Sequence, residues 1–283
     1  MTLRINYHLH NQYSADGRGS TEQTIHSAID LGFDEICFTN HVEALDPESG
    51  DWTVDLVEAR ERFEHQQHEI ERLQPEYPEL RMLLGAEYEY RPEWVETLDA
   101  LTDSVDFDMI IGSVHMVDGH QVSGGSVGGY FKDRDISETY GRYFEAVEEM
   151  LEWGGFDIVG HLDLVKRFGA KYYGTFDAAP FESQVRGILD KMVAVGLGLE
   201  VNTSGVVQAP AEPYPGLDIL KWAKEAHVAT VTIGTDSHVP TSVEQGWETG
   251  ELLLRRAGFT EITLFSHRIR KNVPIEEESA DGE

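Results

Sequence analysis
The stretch Ala229-Thr230-Val231-Thr232-Ile233-Gly234-Thr235-Asp236-Ser237-His238 opens as a β-branched apolar run and closes on two residue types that hold metal ions. β-branched residues favour strands, and the glycine and polar residues after Ile233 end one. The same pattern recurs along the chain. Candidate strands are Arg4–Tyr7, Glu35–Thr39, Met82–Ala86, Phe107–Ile111, Phe156–Val159, Leu197–Val201 and Ala229–Ile233. Between them lie amphipathic helical candidates: Thr21–Leu31, Val54–Leu73, Glu93–Ser104, Ser137–Trp153, Phe181–Val195, Leu217–Ala226 and Glu248–Ala257. Thr21 with a nearby acidic residue, and Gly32 after Leu31, fit a helix start and stop. Strands alternating with helices predict parallel β/α units. About seven units without a Pro- or Ser-rich linker predict a single barrel-like domain.

Composition narrows the function. The chain has 283 residues, with 52 Asp plus Glu against 22 Lys plus Arg, a formal charge of −30. Apolar residues make up 40%, enough to exclude a mostly disordered chain. The charge argues against sequence-independent nucleic-acid binding, which needs clustered cations, and against docking on an anionic membrane. No apolar run reaches the roughly 20 residues a membrane span needs. Met1-Thr2-Leu3-Arg4-Ile5-Asn6 lacks the basic-then-apolar pattern of a signal peptide, so a soluble cytoplasmic protein is expected. The acidity fits a salt-adapted surface, whose self-repulsion high salt screens, and fits ordinary cytosolic acidity equally well. The one cysteine, Cys37, lies in Ile36-Cys37-Phe38 and reads as buried packing. The segment 119–133 is dense in glycine and reads as a long unpacked loop. Barrel residues are assigned to 1–270 and an acidic C-terminal tail to 271–283, fraying from Glu276 onward.

The metal-ligating residue types are not scattered. Of 12 histidines, His8, His10, His41, His115, His161 and His238 directly follow predicted strands, as do Glu87 and Asp236. In a parallel barrel all strand C-termini open on one face, which holds the active site. A lone histidine is commonly a hydrogen-bonded residue at a core edge; six at the same end of successive strands point to metal. His8 and His10, Glu87 and Glu89, and Asp236 and His238 are spaced i, i+2, so each pair shares a face. One of Glu87 and Glu89 can bridge two metals while the other orients a ligand from behind. Asp16, in Ala15-Asp16-Gly17, reads as a turn former on its own. Imidazole and carboxylate without thiolate suit Zn²⁺, Mn²⁺ or Fe²⁺. The nine candidates His8, His10, Asp16, His41, Glu87, His115, His161, Asp236 and His238 are too many for one ion, so two or three are expected. Clustered ions generate a nucleophile from water and stabilise a transferring phosphoryl group, which makes phosphate-ester hydrolysis the first reading and amide hydrolysis the second.

His8-Leu9-His10, Phe38-Thr39-Asn40-His41, Gly85-Ala86-Glu87, Gly112-Ser113-Val114-His115, Gly160-His161-Leu162-Asp163 and Thr235-Asp236-Ser237-His238 together resemble the motif set of the polymerase-and-histidinol-phosphatase (PHP) superfamily. Glu200-Val201-Asn202-Thr203-Ser204-Gly205, Tyr214-Pro215, Ala257-Gly258-Phe259 and the segment from Phe265 to Arg268 resemble its histidinol-phosphatase family. The resemblance runs from about residue 4 to 268 and implies a distorted (β/α)7 TIM-like barrel, α/β in class, with a trinuclear metal centre. Carried over by position, one ion takes His8, His10, Glu87 and Asp236. A second takes Glu87, His115 and His161. A third takes Asp16, His41 and His238. Asp16 stands where some relatives have His, and Asn40 where many have Asp.

The same resemblance implies a metal-dependent phosphomonoesterase acting on histidinol phosphate through a metal-bridging hydroxide. Glu87, Asp236, His238 and Arg167 carry the catalysis. Arg167 matches a family phosphate ligand, and Lys166 and His161 are its neighbours in the expected phosphate site. Arg167 on its own reads as a surface charge at a helix start. A second family arginine is replaced by Val206-Val207, so Lys132, Arg134 or Lys171 substitutes, or the substrate differs. His238, His161 or a metal-bound water protonates the leaving alkoxide. The expected partner is a small phosphorylated substrate, with no nucleic acid and no membrane. The alternatives are a phosphodiesterase or phosphatase of the same superfamily acting on a nucleotide or other small ester, and a non-catalytic metal-binding regulatory protein.

Overall fold
The computed structural model describes residues 3–45, 52–124 and 128–275. Seven strands form one sheet in chain order: β1 (Ile5–Leu9), β2 (Glu35–His41), β3 (Arg81–Glu89), β4 (Met109–Ser113), β5 (Ile158–Val159), β6 (Gly198–Asn202) and β7 (Val231–Gly234). Every neighbouring pair is parallel. The sheet curls until the end of β7 meets β1. There the Asp236 N–H donates to the His8 carbonyl at 2.9 Å, and the His10 N–H to the Ser237 carbonyl at 2.8 Å. The result is a nearly closed barrel, which removes the exposed strand edges an open sheet would present. All residues of β1, β4, β6 and β7 are buried, because helices cover one side of a parallel strand and packed side chains fill the other.

The outer layer is α1 (Thr21–Asp30), α2 (Leu56–Leu73), α3 (Val95–Ser104), α4 (Ile136–Trp153), α5 (Lys166–Tyr173), α6 (Glu182–Val195), α7 (Leu217–Glu225) and α8 (Trp247–Ala257). α1 begins with a capping box of Ser20 and Gln23, not with Thr21 and an acid, and Gly32 follows it at φ +72°. α4 is capped by Asp135, whose carboxylate accepts from the Glu138 N–H, and buries Tyr140, Tyr143, Phe144, Val147, Met150 and Leu151. That stripe recurs every three or four residues and faces the barrel. Among the described residues no helix is long and apolar enough to cross a membrane.

Four features differ from the sequence expectation. β1 and β3 run further than predicted, so His8, Glu87 and Glu89 sit on strands, where their direction is fixed. α5 is an additional helix; Gly169 within it lies where a Cβ would come 2.0 Å from the Tyr140 hydroxyl. A hairpin of β8 (Glu261–Ser266) and β9 (Ile269–Pro274) closes the chain, pairing Lys271 with Leu264 and Pro274 with Glu261. Residues 271–274 are therefore part of this hairpin, while 276–283 lie outside the described residues. Within 119–133, His120–Gln121 pairs with Met116–Val117, and Gly128–Phe131 forms a helical turn that buries Tyr130 and Phe131. The Tyr130 hydroxyl donates to the Thr139 carbonyl at 2.7 Å, so two aromatics anchor a segment that glycine content read as unpacked. Residues 125–127 lie outside the described residues.

Candidate metal centre
The strand ends bring all nine candidate ligands to one mouth of the barrel. β1 supplies His8, with His10 just past its end and Asp16 in the following loop; β2 ends on His41 and β3 carries Glu87. His115 follows β4, His161 follows β5, and Asp236 and His238 follow β7.

Glu87 is the hub and is 1% exposed. Its Oε1 lies 2.9 Å from His161 Nε2 and 3.4 Å from His115 Nε2, and accepts from the Ser113 hydroxyl at 2.6 Å. Its Oε2 lies 3.2 Å from His8 Nε2, 3.4 Å from His10 Nε2 and 3.2 Å from His41 Nδ1. Asp236 Oδ1 faces His8 Nε2 at 3.7 Å, His10 Nε2 at 3.4 Å and His238 Nδ1 at 3.6 Å. Asp16, half exposed, lies 3.1 Å from His238 Nε2 and 3.9 Å from His41 Nε2. Three groups are close enough to share an ion: His8, His10 and Asp236; Glu87, His115 and His161; His10, His41 and His238. In the third, His10 stands where the resemblance put Asp16.

The donor set fits divalent cations. Nε2 of His8, Nε2 of His10 and Nδ1 of His161 are buried without a hydrogen-bond partner. Leaving such atoms unsatisfied costs free energy that a cation would recover, and an N/O set without thiolate suits Zn²⁺, Mn²⁺ or Fe²⁺. Cys37 is buried within β2 and takes no part.

Charge in the cluster is strongly coupled. Burial alone would raise the Glu87 carboxyl, but His8, His41 and His115 hold it well below the usual carboxylate range. Asp236 behaves likewise beside His8, His10 and His238. Burial would lower His115, yet Glu87 and Glu89 push it up to about 10. Against the same burial, Asp16 and Asp236 push His238 up to about 9. His10, buried and next to His238 and His41, is depressed to about 3.

A second ring of side chains fixes the imidazoles. Glu200 Oε1 lies 2.6 Å from His8 Nδ1, and its Oε2 accepts from the His161 N–H at 2.8 Å. Glu89 lies 2.9 Å from His115 Nδ1 and accepts from the N–H groups of His115 and Met116 at 2.7 and 2.9 Å. Ser14 Oγ sits 3.1 Å from His10 Nδ1, and Glu43 lies 3.4 Å from His41 Nδ1. Such contacts set ring orientation and basicity. Asn40 does not join them; its amide is spent on Asn11 and Gln66. His161 and Asp236 have φ of +23° and +53°, a conformation non-glycine residues adopt at a cost.

A cavity of about 610 Å³ opens above the cluster. Arg167, half-buried in the first turn of α5, lines it, and its guanidinium forms no ion pair with a described residue. Lys166 does not line it, which corrects its expected place in the phosphate site. It is fully buried, and its ammonium donates to Asp163 and Glu212 at 2.8 Å and to the Pro213 carbonyl at 2.9 Å. An ammonium has three donors, so none is left for a ligand. Lys132, Arg134 and Lys171 do not line the cavity either. Sequence reasoning missed Arg18, exposed at the rim, and Arg91, Trp94 and Trp52 in the wall. The visible signal was Glu87-Tyr88-Glu89-Tyr90-Arg91, whose i, i+2, i+4 positions share a face once β3 is extended.

A parallel barrel whose strand ends converge on a carboxylate shared by imidazoles is the architecture of a metal-dependent hydrolase. The PHP domain family matches residues 6–204, and the chain belongs to that family. It is 29% identical over 269 residues to a probable histidinol-phosphatase of Deinococcus radiodurans, covering 95% of this chain and 98% of that one. It is 27% identical over 272 residues to histidinol-phosphatase of Lactococcus lactis, covering 95% and 97%. The crystal structure of a Lactococcus lactis histidinol phosphate phosphatase, complexed with zinc, L-histidinol and phosphate, superposes with a TM-score of 0.81 at 26% identity, covering 95% and 98%.

Proposed function
We propose that this chain is a metal-dependent phosphomonoesterase that hydrolyses histidinol phosphate to histidinol and phosphate. The observation that carries the reading is Glu87, one buried carboxylate facing five imidazoles beneath a cavity that Arg167 lines. Three divalent ions are proposed, held by His8, His10 and Asp236, by His115 and His161, and by His41, His238 and Asp16, with Glu87 bridging. Bound there, such ions supply an activated water and offset charge on the phosphoryl group. Arg167 holds non-bridging phosphate oxygens with its planar fork. Glu200 and Glu89 hold His8 and His115 in place from behind. The similarity to proteins named histidinol-phosphatase, across nearly the full length of each, supports this leaving group.

The test is phosphate release from a panel of monoesters and diesters, with and without a chelator. Histidinol phosphate should be the preferred substrate, and chelation should abolish its turnover until Mn²⁺ or Zn²⁺ is restored. Preferred cleavage of a diester, or turnover indifferent to chelation, would overturn the reading.

A further inference from the structure
Besides Arg18 at the exposed rim, Arg91 is a cation of the cavity wall that the chemistry above leaves unused. Its backbone continues β3: the Tyr90 N–H still donates to the Ser113 carbonyl at 2.9 Å, and Arg91 is extended at φ −140°, ψ 133°. Glu87, Glu89 and Arg91 therefore step outward along one face. Four residues of strand rise about 13 Å, so Arg91 starts well above the ligand cluster, toward the cavity mouth. Its guanidinium stacks over Trp94 with 4.2 Å to the ring centroid. The Trp94 N–H donates to the Arg91 carbonyl at 2.9 Å, which ties the two residues into one short turn.

That guanidinium is held but not satisfied. Its side chain is 21% exposed, and among the described residues its ion-pair partner is Glu93, 3.9 Å away. Arg91 Nε is buried without a hydrogen-bond partner. Arg62, also close to the centre, has an unpartnered Nε too, but its Nη2 is already spent on the His41 and Val42 carbonyls. An arginine fixed by stacking, with a partly exposed guanidinium lining a cavity, has the form of a ligand contact.

We propose that Arg91 and Trp94 form the subsite that reads the leaving group: a flat heteroaromatic ring, whose ring nitrogen accepts from the guanidinium while the indole and Trp52 border its faces. This rests on the phosphomonoesterase reading and deepens it. With phosphate at the ligand cluster, the leaving alcohol must point outward, the direction in which β3 carries Arg91. A neutral imidazole has the required acceptor; an alkyl chain or a ring without nitrogen does not.

The experiment compares the metal-loaded enzyme on two monoesters, histidinol phosphate and phenyl phosphate, in the wild type and in Arg91→Gln, Arg91→Lys and Trp94→Leu. Arg91→Gln should raise KM for histidinol phosphate about tenfold, the worth of one charge-assisted hydrogen bond, and leave KM for phenyl phosphate within about twofold. Arg91→Lys should restore part of the loss, and Trp94→Leu should move the same ratio in the same direction. Metal content and melting temperature of each variant show that the fold and centre are intact. If both substrates suffer equally, Arg91 contacts phosphate and the proposal is overturned. If neither changes, it is overturned too. Failure of the wild type on every monoester would instead sink the phosphomonoesterase reading, a different result from an unchanged substrate ratio.

Discussion

At the N-terminal end of the barrel, Glu35 accepts from Arg81 at 2.9 Å and from the Tyr7 hydroxyl, and Asp157 accepts from Arg268 at 2.9 Å. At the C-terminal end, Glu87 faces five imidazoles and, among the described residues, no arginine or lysine. Both ends bury carboxylates in the same barrel. The lower ones are closed by permanent cations whose hydrogen bonds are already made. The upper ones are surrounded by titratable rings, several with an unsatisfied nitrogen. A buried charge with a permanent partner is a structural element; one ringed by lone pairs is a place for an exchangeable cation. The contrast explains how one fold can be rigid below and reactive above.

The sharpest way to break this comparison is at the hub. Glu87→Gln keeps the shape but removes the charge shared among the proposed ions. Turnover should vanish and metal content should fall, while Glu89→Gln, which acts through His115, should cost about 10–100-fold. Elemental analysis with steady-state kinetics decides it. Equal losses in the two variants would mean that the bridging carboxylate is not Glu87.

Next in size is Arg167. Arg167→Ala should raise KM and lower kcat for a phosphomonoester, a loss of about 2–4 kcal/mol in kcat/KM. Arg167→Lys should recover only part, because an ammonium lacks the planar fork. Wild-type kinetics in Arg167→Ala on every monoester hydrolysed would place the phosphate elsewhere in the cavity.

The lower end should respond in stability and not in chemistry. Arg268→Ala removes one partner of Asp157, which is only 6% exposed at its side chain but keeps the Ile110 N–H at 2.9 Å. Urea unfolding should show a loss of about 1–2 kcal/mol, with kcat and metal content unchanged. A fall in kcat matching that in Arg167→Ala would erase the distinction between the two ends.

How far this division was legible in the sequence depended on whether the signal was local. The seven barrel strands were readable because apolar runs alternate with amphipathic stretches, and the ligands because strand order places them at one end. The β8–β9 hairpin was not. Its turn residues, His267 and Arg268, have φ of +48° and +61°, a conformation usually announced by Asn-Gly, and nothing local marks His-Arg as a turn. It is fixed by distant contacts, such as the His267 N–H donating to Asp108 at 2.9 Å. The reading of Arg167 as a helix-start charge implied α5, but its extent was not legible, because Gly169 weakens the helical signal and the need for glycine there is set by Tyr140, far away in sequence. Lys166 was misplaced for a similar reason. Asp163, three residues before it, was visible; Glu212 and Pro213, which take its other donors, come from a remote loop.

The smallest expected effect is in protons. In the metal-free chain, against burial, Glu200 and Glu87 hold His8 well above the ordinary imidazole value, and His115 is pushed up to about 10 and His238 up to about 9. Such groups stay protonated at pH 7 and lose the stabilisation they provide only as pH rises through those values. A metal ion needs the lone pair, so binding must release the proton. His115 Nε2 faces Glu87 at 3.4 Å and His238 Nε2 faces Asp16 at 3.1 Å, and these are two of the nitrogens from which protons would leave. Titrating Mn²⁺ into the metal-free protein at pH 7, in two buffers of different ionisation enthalpy, should show release of about three protons per chain, one each from His8, His115 and His238. The count should fall as pH rises through about 9 and about 10, where first His238 and then His115 lose their protons before metal binds. Among the described residues no metal-ligand group lies at the lower end, so the protonation of His267, raised by Asp106, should not change as metal is added. Buffer-independent heats at pH 7 would mean that the upper imidazoles are neutral before metal arrives. The carboxylates around them would then hold metal alone and not protons, and the two ends would differ in geometry but not in charge.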